Sequence, residues 1–351
     1  MSSVLSFLWR HKRKFLIGGA VIGSAVLATR YCVRSILNLQ EAKARELIEQ
    51  SKKRQHFENT ERTCTETISS LISSFHDSVD RILDSHGIVN KLKTSPANKI
   101  ELWEELKILV FARVCLIVYG AVILNIILRV QINVIGGYLY RSATNKLEFP
   151  LSGSLQEEYL SLCQNFLNNG MEELGNLIVQ KVKDVVGPVN LDKKVDFEQI
   201  QRWLWTIQSA IEIERSDPVL CHLGSSLKTT QEAQVFQEML NDTIDIISSS
   251  DVHTLSSNLV WEGFQYSIER IRESFEPVTQ TSFGNKDFQQ LFVTKPRVGF
   301  FKPLANALAR INSVTLAPSS SDTSNSFMHF LMSDEGLKIF GANVYEAFCE
   351  P

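Results

Sequence analysis

Residues 108–128 read ILVFARVCLIVYGAVILNIIL, and only Arg113 and Asn125 carry strongly polar side chains in that run. Its length satisfies the requirement for crossing a bilayer, about 20 apolar residues. Arg113 speaks against that, because an arginine deep in a membrane helix costs about 2.5 to 3.5 kcal/mol on insertion scales. A helix that is apolar all round is equally the central post of a large bundle. The β-branched content is high, but so long a run without turn signals argues against strands. The residues favour a buried central helix over a membrane span.

Just upstream, Asn98 is placed to cap this helix, with Glu101 three positions on as in a capping box. Downstream, Gly136-Gly137 reads as a C-cap, the usual place for glycine after a helix. Further helices follow from apolar spacing: 155–186, 197–213, 232–248, 255–275, 300–313 and 333–348. Loops are expected at Gly187-Pro188, at Asp217-Pro218, over 281–283 and in the Ser-rich stretch 317–326. Residues 38–62 are densely charged with a narrow apolar stripe, which describes a solvent-washed helix. A second helix is expected from Glu61 to Asp84, ended by Gly87. No hairpin pattern and no fixed repeat recurs. The fold class is therefore all-α.

The N-terminus adds a membrane anchor. A basic segment, residues 1–14, ends in Arg10-His11-Lys12-Arg13-Lys14; an apolar stretch runs from Phe15 to Ala28, and counting Thr29, Tyr31, Cys32 and Val33 brings it near the length of a span. Arg30 sits near its end, where a long side chain snorkels to the headgroups. A cleaved signal is the rival reading, but no A-x-A-like exit follows the apolar run. Gly19-x-x-x-Gly23 is a candidate helix-packing motif. The expected organisation is a basic segment (1–14), a transmembrane anchor (15–33) and an elongated helical bundle (34–351) with a long buried central helix.

Composition excludes several functions. The 351 residues are 44% hydrophobic and 21% charged with a net charge of -3, an ordinary globular balance and not that of a nucleic-acid binder. Six scattered cysteines show no metal spacing and read as reduced, buried thiols. Phosphate loops, nucleophile elbows and clustered histidines are missing, so no catalytic residue, metal or cofactor is expected. What remains is a binding surface. Trp103 stands at the start of the central helix among Lys99, Glu101, Glu104 and Glu105. It either packs in the core, as most large aromatics do, or lines a cleft for an amphipathic helix.

Several blocks together resemble the peroxin-3 family of peroxisome biogenesis proteins. They are Arg10 to Lys14, Gln55-His56-Phe57-Glu58, Arg62-Thr63-Cys64, and Asn98-Lys99-Ile100-Glu101-Leu102-Trp103-Glu104-Glu105-Leu106-Lys107. The series continues with residues 128–140, LRVQINVIGGYLY, and ends with Ala342-Asn343-Val344-Tyr345-Glu346-Ala347-Phe348. Between 151 and 333 the similarity is diffuse, with Leu220-Cys221-His222 the main echo. The resemblance implies an integral peroxisomal membrane protein whose helical domain faces the cytosol. It implies that a groove at the membrane-distal end receives an amphipathic N-terminal helix of peroxin-19, the shuttle for peroxisomal membrane proteins. Carried over by position, Trp103 is the principal groove residue, with Leu92, Lys93, Lys99, Leu106, Asn133, Gly137 and Tyr138 as neighbours. A tether for organelle-inheritance or autophagy factors is the alternative. The positive-inside rule would hold residues 10–14 in the cytosol, whereas the resemblance puts the N-terminus in the peroxisomal matrix.

Overall fold

The computed structural model of the chain describes residues 12–94, 98–144, 151–214, 231–275, 302–315 and 323–349. In order these form α1 (Lys12–Ile82), α2 (Ser85–Lys93), α3 (Lys99–Ala143) and α4 (Gly153–Asn165). A π-helical turn (Phe166–Gly170) leads into α5 (Met171–Val186), then β1 (Lys194–Val195), α6 (Phe197–Glu214), α7 (Gln231–Ile247) and α8 (Ser250–Phe275). The chain closes with β2 (Lys302–Pro303), α9 (Leu304–Thr315), α10 (Thr323–Ser333) and α11 (Glu335–Cys349). The class is all-α as expected, with one antiparallel two-residue pairing of β1 and β2.

The chain divides into two compact units, Met1–Glu58 and Asn59–Pro351. In the first, the described part is a single helical stretch whose Leu37, Leu39, Leu47 and Ile48 are all exposed. The expected anchor, 15–33, lies within α1, but its side chains from 15 to 29, including the Gly19/Gly23 motif, fall outside the described residues. Residues 1–11 and the 220–222 echo also lie outside them.

In the second unit, α3 is the post around which the rest is built. It touches α2, α4, α5, α7, α8, α9, α10 and α11. Of its most apolar 18-residue window, 94% is buried inside the protein. So many β-branched residues have modest intrinsic helix propensity, and burial on every face overrides it. The polar side chains of α3 make specific contacts inside the protein. Arg113 Nη2 lies 2.5 Å from Asp80 Oδ1, and Arg129 Nη1 lies 2.7 Å from Glu61 Oε2. Asn125 donates to the Ala121 carbonyl at 2.8 Å, and Gln131 to the Tyr159 carbonyl at 2.6 Å. The two arginines bolt α3 to the part of α1 that runs from Asn59 onward.

Several local expectations are corrected. No break separates 38–62 from 61–84, because α1 continues unbroken to Ile82. Gly87 does not end that helix. It lies in the first turn of α2, where its N–H donates to Asp84 Oδ1 at 2.7 Å. Asn98 occupies the N-cap of α3, but its side chain makes no capping bond. Gly136-Gly137 is not a C-cap, since α3 runs on to Ala143; both glycines are contact points for neighbouring elements. The expected helix 155–186 is divided by the π turn. Arg81 Nη2 donates to the Leu167 and Asn168 carbonyls within that turn, at 3.4 and 3.3 Å. The Ser-rich stretch gives way to α10, which buries Phe327, Met328, Leu331 and Met332.

Candidate partner-docking site

The start of α3 and the end of α2 meet at the edge of the core. Asp84 caps α2, and Lys91 and Lys93 occupy its last turn, where cations complement the negative end of the helix dipole. Leu102 and Leu106 point into the core at 7% and 2% exposure. Trp103 and Leu92 are half-buried and pack against that core without being enclosed by it. Lys93, Lys99, Glu101 and Glu105 are exposed, and Ile100 is 75% exposed. Leu92 and Trp103 are thus half-buried apolar residues on two helices that pack together, each with exposed charges beside it in sequence. Half-buried apolar side chains among charges of both signs have the chemistry of surfaces that amphipathic helices pack against.

Of the eight sequence-derived site residues, Lys99, Trp103 and Leu106 lie within the first turns of α3, and Leu92 and Lys93 close α2, which packs against α3. The other three do not belong to the same groove. At 1.5 Å per residue, Asn133 lies about 45 Å along α3 from Trp103. Asn133 is fully buried and donates to the Arg129 carbonyl at 2.8 Å and to Glu61 Oε1 at 3.4 Å. A Cβ on Gly137 would stand 2.4 Å from Phe348 Cβ, so its bareness admits α11 and not a ligand. Tyr138 stacks on Phe348 with ring centroids 5.9 Å apart, and the Arg141 guanidinium lies 5.6 Å from the centre of the Tyr138 ring. These three residues seat the C-terminal helix.

Lys107, one turn beyond Trp103 on the same face, was not among the expected site residues. It is fully buried, and its Nζ lies 2.5 Å from Glu104 Oε2, 3.0 Å from the Gly187 carbonyl and 2.7 Å from the Val189 carbonyl. A cation at i+4 from a key aromatic was visible in the sequence, but its burial depends on a loop some 80 residues away.

Three buried cysteines sit in surroundings that keep them protonated. Burial pushes the Cys64 and Cys163 thiols up to about 12 and raises Cys115 as well, so none offers a thiolate nucleophile at neutral pH. Among the described residues no group of three or more His, Cys, Asp or Glu side chains is arranged to hold a metal ion.

Comparison with known proteins gives one consistent result. The family model described as Peroxin-3 matches residues 6–98, 93–148 and 143–347. The chain is 31% identical to Peroxisomal biogenesis factor 3 of Homo sapiens over 377 residues, covering 100% of this chain and 98% of that one. It is 25% identical to Peroxisome biogenesis protein 3-1 of Arabidopsis thaliana, covering 70% and 76% of the two chains. With Peroxisomal biogenesis factor 3 of Debaryomyces hansenii the identity is 21%, covering 99% of each.

Proposed function

Because this chain belongs to the Peroxin-3 family, whose members are peroxisome biogenesis factors of the peroxisomal membrane, we propose that it is a docking receptor for cargo-loaded peroxin-19. The amphipathic N-terminal helix of peroxin-19 lies across Leu92 and Trp103, and Lys93 and Lys99 fix its register. The bound shuttle delivers peroxisomal membrane proteins for insertion. Residues 15–33 anchor the receptor in the bilayer, and the helical domain faces the cytosol.

The observation that carries this reading is the half-buried state of Trp103. An aromatic mounted at a helix start, packed against the core and only half-buried, has the character of an interface anchor. In cells lacking their own peroxin-3, wild type should restore peroxisomes and Trp103→Ala should restore far fewer at equal protein level. Full restoration by Trp103→Ala would end the docking reading. It would favour the tether alternative, for which exposed Trp261, Phe330 and Ile339 offer apolar surface. Protease treatment of intact organelles tests the topology: protection of an N-terminal tag supports a matrix-facing N-terminus, and digestion refutes it.

A further inference from the structure

Lys107 is an unusual core residue, an ammonium group with no exposure beside a binding surface. Burying such a charge is costly unless it is paired and fully hydrogen-bonded. Its three donors meet three acceptors, which are Glu104 Oε2 on its own helix and the carbonyls of Gly187 and Val189. Gly187 is the C-cap of α5, so the ammonium also sits at the negative end of that helix dipole, where the last carbonyls lack intrahelical partners. Beyond this point the chain continues through Val189 and Leu191, both half-buried against the core. It is held again at Lys193, whose Nζ lies 5.6 Å from the centre of the Trp203 ring. Trp203 in turn meets Phe111 of α3 edge-on at 6.1 Å.

Resting on the docking reading above, we infer that Lys107 is a positioning residue of the Trp103 site. It draws the loop 187–191 onto the face of α3 that carries Trp103, giving the groove a wall besides α2. It also binds Glu104, whose side chain is 41% exposed, so that this carboxylate is turned toward the protein. Neutralised in this way, Glu104 does not repel a ligand helix that presents acids to Lys91, Lys93 and Lys99. Lys107 itself touches no ligand; it acts through the loop and through Glu104.

The test uses the full chain in detergent micelles, as wild type, Lys107→Met, Trp103→Ala and the double variant. Two readouts are taken: amide hydrogen exchange over 187–191, and affinity for an N-terminal peroxin-19 peptide. Lys107→Met should speed loop exchange at least about tenfold and weaken the peptide roughly tenfold. In the Trp103→Ala background the same substitution should cost less than about twofold, since contacting or coupled sites are not additive. Unchanged loop exchange would overturn the inference, and so would an equal tenfold loss in both backgrounds. If wild type binds no peptide while Lys107→Met still frees the loop, the docking reading falls and the positioning role with it, leaving the clamp as a feature of folding. Should Lys107→Met fail to fold, Lys107→Arg replaces it under the same criteria; it keeps the charge but brings a wider head to the same two carbonyls.

Discussion

The two ends of α3 are made from similar material and meet opposite surroundings. At Lys99–Lys107 an aromatic, two leucines and several charges stand at the rim of the core, and Trp103 is half-buried. At Arg129–Tyr138 a glycine pair, an asparagine and a tyrosine are enclosed by α1 and α11. The first end has a fixed backbone with unfilled contacts, which suits capture of a partner helix with little ordering cost. The second has already spent its contacts within the protein. Membership of one helix thus says nothing about membership of one site, because a helix converts sequence distance into length.

The enclosed end should respond to substitution through stability. Glu61→Ala leaves Arg129 buried, with Nε and Nη2 already lacking hydrogen-bond partners among the described residues. It should cost about 3 to 5 kcal/mol in denaturant unfolding, as removing one member of a buried pair does. A loss below about 1 kcal/mol would mean that the pair is not enclosed as described. Next in size, Gly137→Ala pushes a methyl into Phe348 and should cost about 1 to 3 kcal/mol. Gly153→Ala meets no atom within 4 Å and serves as the neutral control, so equal effects would break the distinction. Smaller still is a pH effect at His76, whose pKa is lowered by burial and then by the charge of Arg113, with Asp80 and Asp77 opposing. Unfolded, the imidazole titrates near its ordinary value of about 6.5. The unfolded chain therefore binds the proton first, and stability should fall as the pH drops below about 6.5, levelling off below the folded value. Thermal unfolding at pH 7.5 and 5.5 checks this: His76→Gln should narrow the gap between the two, and an unchanged gap would assign it to other groups.

Much of the fold was legible because its signals are local. The 108–128 run declared a long helix, and Arg113 pointed away from the membrane; its partner Asp80 then explained how the charge is accommodated. The misreadings came from features set by distant contacts. Gly136-Gly137 looked like a terminus, whereas Thr60, Tyr345 and Phe348 press against α3 there. The π turn at 166–170 receives Arg81 on two of its carbonyls, and nothing in FLNNG announces that. In α10 the apolar residues Phe327, Met328, Leu331 and Met332 were present at helical spacing, but they are few and follow a run of serines. At the start of α3, Trp103 stood out in the sequence from its charged setting, with core packing and a cleft both open as readings. Leu92, Lys93, Asn133, Gly137 and Tyr138 entered only through resemblance, and the length of α3 separates the last three from Trp103. Lys107 was missed because its acceptors are backbone carbonyls, which no side-chain pattern records.

The most direct measurement is a side-by-side titration of full-length wild type and Trp103→Ala in micelles with an N-terminal peroxin-19 peptide, with circular dichroism confirming that both are folded. Saturable binding by wild type, weakened at least about thirtyfold by the substitution, is the expected result for a buried interface anchor. Equal affinity for the two proteins, or no binding by wild type, would contradict docking at the start of α3.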